Sequence, residues 1–324
     1  MPRVRATPRV SVVVPVRDDL EGIRALLACL SAQTLPSDRF EVVIGDDGSR
    51  ADQVPRVATA DGRVRVVEGS PRTSYAARNA AVAISSGSVL AFCDSDCRPQ
   101  PDWLEEALAA LGQADVVAGE VTFVPPARPS LWSLLTIDMF LDQQRNVCFA
   151  RGVTANLSLR RELFAELEGF DESLSSGGDY DLVRRAVARG ARLRYAPRAV
   201  VRHPTMNRSG EFLRKVWRTN RCSGARRARD GDPLDPLGAL TFVPVFGAML
   251  ARRHALRPLL RLHRPRLRAA AVAPAWRQEL GAVLLIYSVI CYVAGAGRVL
   301  GWLDGLTGRV AAPAYRPLGR PACS

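Results

Sequence analysis

Residues 11–47 have the sequence SVVVPVRDDLEGIRALLACLSAQTLPSDRFEVVIGDD, and the spacing of their apolar side chains indicates the fold class. Residues 11–16 and 41–45 are short runs rich in β-branched side chains, which favour strands. Between these runs, apolar residues recur at the spacing of one helix face, at Leu20, Ile23, Leu26, Leu27 and Leu30. The stretch therefore predicts a strand, an amphipathic helix and a second strand.

The same alternation continues along the chain. Strands are predicted over 63–68 and 89–93, and helices over 74–85 and 102–111. Beyond them, the pattern predicts strands over 115–123 and 152–160, a helical segment near 130–144, and helices over 179–189 and 208–229. Alternating strands and helices predict an α/β fold class in which a mainly parallel sheet is flanked by helices on both faces.

Acidic residues come directly after three of the predicted strands. They are Asp18 and Asp19, Asp46 and Asp47, and Asp94 and Asp96. Ligands of such sheets bind beyond the carboxyl ends of the strands, so we expect these side chains at one site. Asp94-Ser95-Asp96 follows a wholly apolar strand, and two carboxylates suit a divalent cation that bridges to a substrate phosphate. Taken alone, this motif is more often a solvated acidic turn.

Three longer segments carry these motifs in one order: SVVVPVRDDLEGIRALLACLSAQTLPSDRFEVVIGDDGSRAD, YAARNAAVAISSGSVLAFCDSDCRPQPDWLEEAL and GFDESLSSGGDYDLVRRAVARGARLRYAPRAVVRHP. With these motifs, the chain resembles the inverting glycosyltransferases of family 2, whose GT-A fold is Rossmann-like and binds nucleotide sugars. The resemblance covers residues 10–205, and it implies a GT-A catalytic domain over 1–205.

The resemblance implies which residues bind the nucleotide-sugar donor. Those expected to border the base are Pro15, Val16 and Glu21 in the first loop, with Asp47 accepting a hydrogen bond and Asp46 supporting the DDGS turn. In the ARN motif, Arg78 and Asn79 would lie along the nucleotide and position Asp94, which would contact the ribose or a metal-bound water.

The resemblance also implies a metal site and a catalytic base. Asp96 would bind Mg²⁺ or Mn²⁺ on the donor diphosphate, and His203 resembles a histidine that adds a metal ligand in some related enzymes. Asp179 would be the general base, with Arg185 helping to hold its loop. Inversion requires an acceptor hydroxyl to attack opposite the leaving diphosphate, so one carboxylate takes a proton while a metal neutralises the departing charge.

Each of these motifs also has a purely structural interpretation. The DDGS sequence at 46–49 is typical of a simple turn, and Arg78 of a helix surface. Asp179 is equally suited to cap the N-terminus of a helix that begins at Tyr180, and His203 to an ordinary loop before a proline.

Cysteine spacing argues against a zinc ribbon or a disulfide scaffold. The chain has seven cysteines, an odd number, and lacks a CxxC pair. Cys93 and Cys97 flank the acidic motif at CxxxC spacing, and we interpret them as packing residues. The apolar run near the N-terminus is short and is broken by Pro15, so we expect the first domain to stay in a reducing cytoplasm.

The chain departs from the family pattern at three places. Gly178 stands before the expected base where the family usually has glutamate, the ARN motif ends in Ala81 rather than glycine, and 16–19 read VRDD rather than containing a tyrosine-asparagine pair. The first departure affects acceptor binding more than catalysis. The QxxRW motif of processive synthases is absent, since 214–220 read RKVWRTN, and this favours transfer of a single sugar.

The formal charge of +13 is concentrated in the last third of the chain. Residues 1–200 have a net charge of −2, whereas 201–324 have +15. A basic surface of this kind suits nucleic acid or anionic lipid. The arginine-rich stretch 252–277 lacks interleaved aromatic residues apart from Trp276, so we expect no nucleic-acid partner.

The C-terminal part has the pattern of a membrane-associated region. We expect a basic helical connector over 206–236 and a membrane-associated helical region over 237–324, with a candidate transmembrane helix over 280–297. The eight arginines of 252–277 precede that helix, as the positive-inside rule expects of a cytoplasmic flank, and 237–250 suits an interfacial or re-entrant segment. The alternative is a hydrophobic hairpin buried against the catalytic domain.

Together these patterns predict an enzyme at the cell membrane whose catalytic domain faces the cytoplasm. We expect a metal-dependent, inverting family 2 glycosyltransferase of the hexosyltransferase type that acts in cell-envelope polysaccharide or glycolipid synthesis. Its expected partners are a nucleotide-sugar donor, a lipid-linked or polysaccharide acceptor and an anionic membrane surface. The alternative is a non-catalytic module that binds nucleotide sugars or membranes and has kept the fold.

Overall fold

The structure is a computed structural model that describes residues 9–53, 63–68, 73–124, 126–128, 130–229, 231–234 and 280–307. The predicted interfacial segment 237–250 and the arginine-rich stretch 252–277 lie outside the described residues.

The described strands form one sheet of eight. They are β1 (Val10–Val16), β2 (Phe40–Asp46), β3 (Val64–Glu68), β4 (Val89–Cys93), β5 (Arg98–Pro99), β6 (Val116–Val124), β7 (Asn156–Arg160) and β8 (Leu193–Pro204). The strand order is β3-β2-β1-β4-β7-β6-β8-β5. Six strands run in one direction, and β7 and β5 run antiparallel to their neighbours. The predicted mainly parallel sheet is therefore confirmed, and β5 escaped prediction because two residues show no periodicity.

Helices pack on both faces of the sheet. They are α1 (Leu20–Ser31), α2 (Ser74–Ile84), α3 (Trp103–Leu111), α4 (Leu131–Met139), α5 (Gln143–Val147), α6 (Arg161–Glu166), α7 (Gly178–Ala188), α8 (Ser209–Arg229) and α9 (Leu280–Leu306), with a 3-10 turn at Ser37–Arg39. The helical segment expected near 130–144 is two helices, because Leu141 has a φ of +55° and interrupts it.

The strands alternate between two hydrophobic cores. In β1, Val12 and Val14 face the core beneath α1 and α3, whereas Val13 faces the core beneath α2, α6 and α7. Trp103 fills the first core and Phe92 the second, and both are fully buried. The sheet thus provides a rigid support whose strand ends carry the polar residues.

Asn156 ties the middle of the sheet together. Trp103 Nε1 donates to its Oδ1 over 2.9 Å, and its Nδ2 donates to Glu120 O and Ala199 O, each over 2.8 Å. The pairing of β6 with β8 shifts at Gly119, where the Asn156 side chain leaves no room for a Cβ. This buried, satisfied amide sets the register that brings the ends of β4, β6 and β8 together.

Helix α9 packs along α8. Ile290 and Ala294 are buried with Phe212 of α8, and Arg221 of α8 pairs with Asp304 over 2.8 Å. Within the described part of the chain, α9 is long and apolar enough to cross a membrane over Ser288–Leu306. The predicted span 280–297 lies within α9 and overlaps that window. The membrane span stays a prediction, since length and composition are its only support.

Close helix contact through glycine makes the α8–α9 interface sensitive to an added methyl group. A Cβ at Gly301 would lie 1.9 Å from Arg221 O. We expect Gly301→Ala to lower the free energy of unfolding by about 1–3 kcal/mol through overpacking. Gly210→Ala is the matched control, since no atom lies within 4 Å of its added Cβ. Equal thermal unfolding midpoints for the two variants would contradict the described packing.

Candidate active site

Hydrogen bonds join the two loops that follow β1 and β2. The Asp18 amide donates to Ser49 Oγ over 2.9 Å, and the Arg50 amide donates to Asp18 Oδ1 over 2.8 Å. Ser49 Oγ in turn donates to Asp46 Oδ1 over 2.5 Å. Asp46 is therefore buried beneath the loop and supports it, while Asp47 lines the cavity beyond the strand ends.

A cavity of about 770 Å³, the first cavity, opens beyond the carboxyl ends of β1, β2 and β4. Seven of the residues to which the resemblance gives a role line it: Pro15, Val16, Asp47, Arg78, Asp94, Asp96 and His203. Helix α8 contributes Arg214, Lys215 and Arg218 to its wall. The first cavity thus combines carboxylates from the sheet with cations from a helix, a composition suited to a metal–phosphate ligand.

Arg78 holds Asp94 at the cavity wall. Arg78 Nη2 lies 2.5 Å from Asp94 Oδ1, and the Arg78 side chain is only 4% exposed. Its Nη1 also donates to Ser74 O over 3.3 Å, so the guanidinium is fixed from two sides. The interpretation of Arg78 as a helix-surface arginine is wrong, because the structure buries it.

Among the described residues, Asp96 and His203 are well placed to hold a metal ion. Asp96 Oδ1 lies 3.5 Å from His203 Nε2, and Cys97 Sγ completes a group of ligand atoms within 4.8 Å of one another. Burial raises the pKa of the Cys97 thiol, which donates to Ala155 O over 3.8 Å and is therefore a poor metal ligand. A carboxylate and an imidazole fit Mn²⁺ or Mg²⁺ and leave positions for phosphate oxygens and water.

His203 lies in β8 rather than in an ordinary loop. Its backbone is in register with Phe123 of β6, and the two rings make an edge contact with centroids 6.1 Å apart. The strand therefore points the imidazole at Asp96, which follows β4. Burial raises the pKa of the Asp96 carboxyl, while His203 opposes that shift.

Two predicted donor-binding residues lie elsewhere. Glu21 is exposed in the first turn of α1 and does not line the first cavity. Asn79 Nδ2 donates to Phe170 O over 2.8 Å, and its Oδ1 accepts from the Phe170 amide over 3.0 Å. Asn79 thus holds the loop before α7 instead of lining the first cavity. Their contact with the donor stays a prediction, although neither side chain lines this cavity.

Asp19 lines the first cavity, although the motifs assign it no role. Its Oδ1 accepts from the Gly22 amide over 3.0 Å and caps α1, while its Oδ2 accepts from Ser95 Oγ over 2.6 Å. This contact joins the first loop to the Asp94-Ser95-Asp96 turn. The signal in the sequence was its place directly after the first strand, beside Asp18.

A second cavity of about 570 Å³ adjoins the first. The residues lining both are Ser74, Arg78, Asp94, Lys215 and Arg218. Asp179 lines the second cavity at the start of α7. The structure therefore brings Asp96 and Asp179 to the same edge of the sheet, one in each cavity, with the Arg78–Asp94 ion pair in the wall between them.

The surroundings of Asp179 make its carboxylate a stronger proton acceptor than a free one. Burial raises its pKa, and hydrogen bonds from the backbone of Tyr180 and Thr154 oppose that shift. The Tyr75 hydroxyl also lies 3.4 Å from Asp179 Oδ1. Helix α7 begins at Gly178 after Gly177, its N-cap, so the interpretation of Asp179 as a helix cap is wrong.

Arg185 holds the chain that leads to Asp179. Its Nε donates to Asp181 Oδ2 over 2.7 Å, one turn earlier in α7. Its Nη2 donates to Gly169 O over 2.8 Å. Since Asn79 holds the same loop at Phe170, two side chains from separate helices fix the approach to the second cavity.

Comparison with known proteins identifies the family. Residues 11–166 match the family model described as glycosyl transferase family 2. The glycosyltransferase AglE of Haloferax volcanii is 32% identical over 224 residues, which are 66% of this chain and 72% of AglE. The chain belongs to glycosyltransferase family 2. The resemblance inferred from its motifs is confirmed.

Other relatives and structures agree with the family. The succinoglycan biosynthesis protein ExoU of Rhizobium meliloti is 29% identical over 253 residues, which are 69% of this chain and 72% of ExoU. The mannosyltransferase PcManGT from Pyrobaculum calidifontis, solved with GDP-Man and Mn²⁺, matches with a TM-score of 0.58 at 21% identity. The match covers 94% of this chain and 88% of that one, and it shows the shared GT-A fold.

The glycine that replaces the family's usual glutamate has a physical explanation in this glycosyltransferase. A Cβ at Gly178 would lie 2.9 Å from Cε2 of Tyr75 and about as close to two further ring atoms. The buried Tyr75 ring thus occupies the space in which a side chain at 178 would begin. The two residues form a matched pair, and the tyrosine hydroxyl reaches the carboxylate of Asp179 from that place.

Helix α8 is more than the connector that the sequence suggested for 206–236. Lys215 and Arg218 of this helix line both cavities, and Lys215 Nζ lies 4.8 Å from the centre of the Phe140 ring. Burial lowers the pKa of Lys215, while Asp94, Asp96 and Asp179 oppose that shift. The signal in the sequence was that Lys215 is the single lysine among 45 basic residues.

The pH dependence of the glycosyltransferase should reflect both buried groups. Transfer should rise with pH as Asp179 loses its proton, and fall as Lys215 loses its own. Burial raises the pKa of Asp179 and lowers that of Lys215. Both limbs of the pH–rate profile should therefore lie nearer neutrality than the free values of about 3.9 and 10.4.

Lys215→Arg should move the alkaline limb to higher pH, because a guanidinium keeps its proton there, and leave the acid limb in place. The measurement is kcat/KM against pH for both proteins. An alkaline limb that does not move in Lys215→Arg would show that another group causes it.

Proposed function

We propose that the protein transfers a single sugar from a nucleotide-sugar donor to an acceptor hydroxyl, with inversion at the anomeric carbon and with the help of a divalent cation. The observation that carries this proposal is the placement of Asp96 with His203 in the first cavity and of Asp179 in the second. An inverting transfer needs a cation on one side of the anomeric carbon and a base on the other, and the adjoining cavities separate the two groups in this way.

The first cavity suits the donor. Pro15, Val16 and Asp47 lie at its β1 and β2 side and would receive the base, while Asp94 would receive the ribose or a metal-bound water. Asp96 and His203 would hold Mn²⁺ or Mg²⁺, which supplies positive charge to the diphosphate when bound. PcManGT was solved with GDP-Man and Mn²⁺, which supports a divalent cation at this site.

The second cavity suits the acceptor. Its hydroxyl group would face Asp179, which takes the proton as the hydroxyl oxygen forms the new bond to the anomeric carbon. The bond from that carbon to the diphosphate breaks, and its electron pair leaves with the diphosphate. Lys215 and Arg218 line both cavities and would meet this developing charge from the side of α8.

The cellular setting is proposed from the relatives and from the C-terminal part of the chain. ExoU is a succinoglycan biosynthesis protein, which supports a cell-envelope polysaccharide as acceptor, whereas a lipid-linked acceptor is proposed from the C-terminal part of this chain alone. The C-terminal charge excess and helix α9 support attachment to the cytoplasmic face of an anionic membrane. Stronger binding of the full chain to anionic than to zwitterionic vesicles would support this attachment, and equal binding would count against it.

The test of the proposed activity uses a panel of UDP-, GDP- and TDP-sugars. Binding is measured by calorimetry with and without Mn²⁺, and transfer is followed by release of the nucleoside diphosphate. We expect one donor to bind in a metal-dependent way and to be turned over with an acceptor. Absence of metal-dependent binding for every donor would overturn the proposal, and binding without any turnover would favour the non-catalytic module.

A further inference from the structure

The second cavity carries more positive charge than a neutral sugar acceptor requires. Four arginines line it in addition to Arg78: Arg145, Arg151, Arg218 and Arg226. Among the residues that the structure describes, no carboxylate oxygen lies within 4.0 Å of the guanidinium nitrogens of Arg145, Arg151 and Arg218. With Lys215 and Arg78, the cavity is lined by six cations against three carboxylates, those of Asp94, Asp142 and Asp179, and such an excess favours an anionic ligand.

Arg151 is held in the wall of the second cavity by two aromatic rings. Its guanidinium carbon lies 5.7 Å from the centre of the Phe149 ring and 5.4 Å from that of Tyr180. Its Nε is buried and has no hydrogen-bond partner within the described part of the chain. The two rings hold the guanidinium in the cavity wall, so an anion that bound there would order this side chain at little entropic cost.

This arginine lies close to the expected base. Tyr180, which it contacts, directly follows Asp179, and the Tyr180 hydroxyl donates to Asn146 Oδ1 over 3.3 Å. Asn146 lies in α5 beside Arg145, which is exposed. An anion bound by the two arginines would therefore lie near the hydroxyl group that faces Asp179.

The donor diphosphate does not account for these two cations. Arg145 and Arg151 line the second cavity and are not in the wall of the first, whereas Arg78, Lys215 and Arg218 line both. The planar guanidinium matches phosphate oxygens in a two-pronged geometry. Several such groups suit a phosphate or diphosphate better than a single carboxylate.

We propose that the acceptor carries a phosphate or diphosphate group, bound by Arg145 and Arg151, beside the alcohol or sugar whose hydroxyl group faces Asp179. This inference rests on the proposed transferase function and specifies its acceptor. Phe149 and Met139 also line the second cavity and are 51% and 41% exposed. Such an apolar rim suits a lipid attached to the phosphate. A soluble phosphate ester carries the same charged group as a lipid phosphate, so the experiment below distinguishes these two sources.

The test titrates the full-length protein with three probes: geranyl phosphate, ethyl phosphate and octyl glucoside. Titrations are run with Mn²⁺ alone, and again with Mn²⁺ and whichever of UDP, GDP or TDP binds most tightly, so that the first cavity is filled. We expect both phosphate probes to bind in the filled state. Tighter binding of geranyl phosphate would identify a lipid phosphate as the source, and equal binding a soluble ester.

Arg151→Gln and Arg145→Gln should each weaken both phosphate probes about tenfold, the size expected for loss of one charge-assisted hydrogen bond. Binding of octyl glucoside and of the nucleoside diphosphate should not change. Arg189→Gln, an exposed arginine just after α7, is the matched control. Arg145→Gln keeps the test valid if Arg151→Gln fails to fold, because Arg145 is exposed.

The inference is overturned if neither phosphate probe binds, or if the folded arginine variants bind both as tightly as the wild type. That result leaves the proposed function intact when the nucleoside diphosphate still binds with Mn²⁺. Failure of the nucleoside diphosphate to bind the wild-type protein would instead count against the proposed function itself.

Discussion

Asp179→Asn is expected to slow sugar transfer by about 10²–10⁴-fold, the usual contribution of a general base, while donor affinity stays within about twofold. The amide keeps the shape of the carboxylate but cannot take the acceptor proton. Because Asp179 lines the second cavity and not the first, the donor site should be untouched. The measurements are kcat with the best donor and acceptor, and donor binding by calorimetry with Mn²⁺.

Asp102→Asn is the control for this experiment. Asp102 is exposed before α3, and its side chain does not cap that helix. It should therefore transfer sugar at the wild-type rate. If Asp179→Asn kept most of its activity, another group would have to accept the proton, and the assignment of the second cavity to the acceptor would lose its main support.

The second large effect concerns the metal. Asp96→Asn should abolish measurable Mn²⁺ binding and weaken the donor at least about tenfold, because the metal interaction contributes several kcal/mol to diphosphate binding. The amide removes the one charged ligand of the Asp96–His203 pair while keeping its size. Titration of the Mn²⁺ paramagnetic resonance signal measures the metal, and calorimetry measures the donor.

His203→Ala and Asp38→Asn refine this prediction. His203→Ala should weaken Mn²⁺ less than Asp96→Asn, since it removes a neutral ligand. Asp38→Asn should bind Mn²⁺ as the wild type does, because Asp38 is exposed in the 3-10 turn before β2, at the opposite end of that strand from Asp46. Unchanged Mn²⁺ affinity in Asp96→Asn would place the metal elsewhere in the protein.

The residues proposed to hold the metal and the proposed base are far apart in sequence, and each was suggested by a simple rule. Asp94 and Asp96 come directly after the buried strand β4, and strand ends of one direction meet at one edge of a sheet. Asp179 and His203 were recognisable from their motifs and their order along the chain. Local sequence was sufficient here, since the position of a residue at the end of a strand is fixed by the strand itself.

Prediction from the sequence was weaker where the rotation of a helix decides a side chain's position. Glu21 and Asn79 lie in motifs, yet α1 leaves the first exposed and α2 turns the second to the loop at Phe170. Lys215 had no motif, and α8 nevertheless brings it to both cavities. Moving one residue along a helix rotates the direction of the side chain by about 100°. The direction in which a given side chain points therefore depends on how the helix packs against distant segments.

The sequence by itself determined the fold class, the family and the positions of the acidic groups at the strand ends. These follow from hydrophobic periodicity and from motifs, both of which are local along the chain. The tertiary structure alone decided that α8 lines both cavities, that Tyr75 occupies the space beside Gly178, and that the Arg151 guanidinium lies against Phe149 and Tyr180. Each of these depends on contact between segments far apart in sequence, and no local pattern encodes the distance or the angle at which such segments pack.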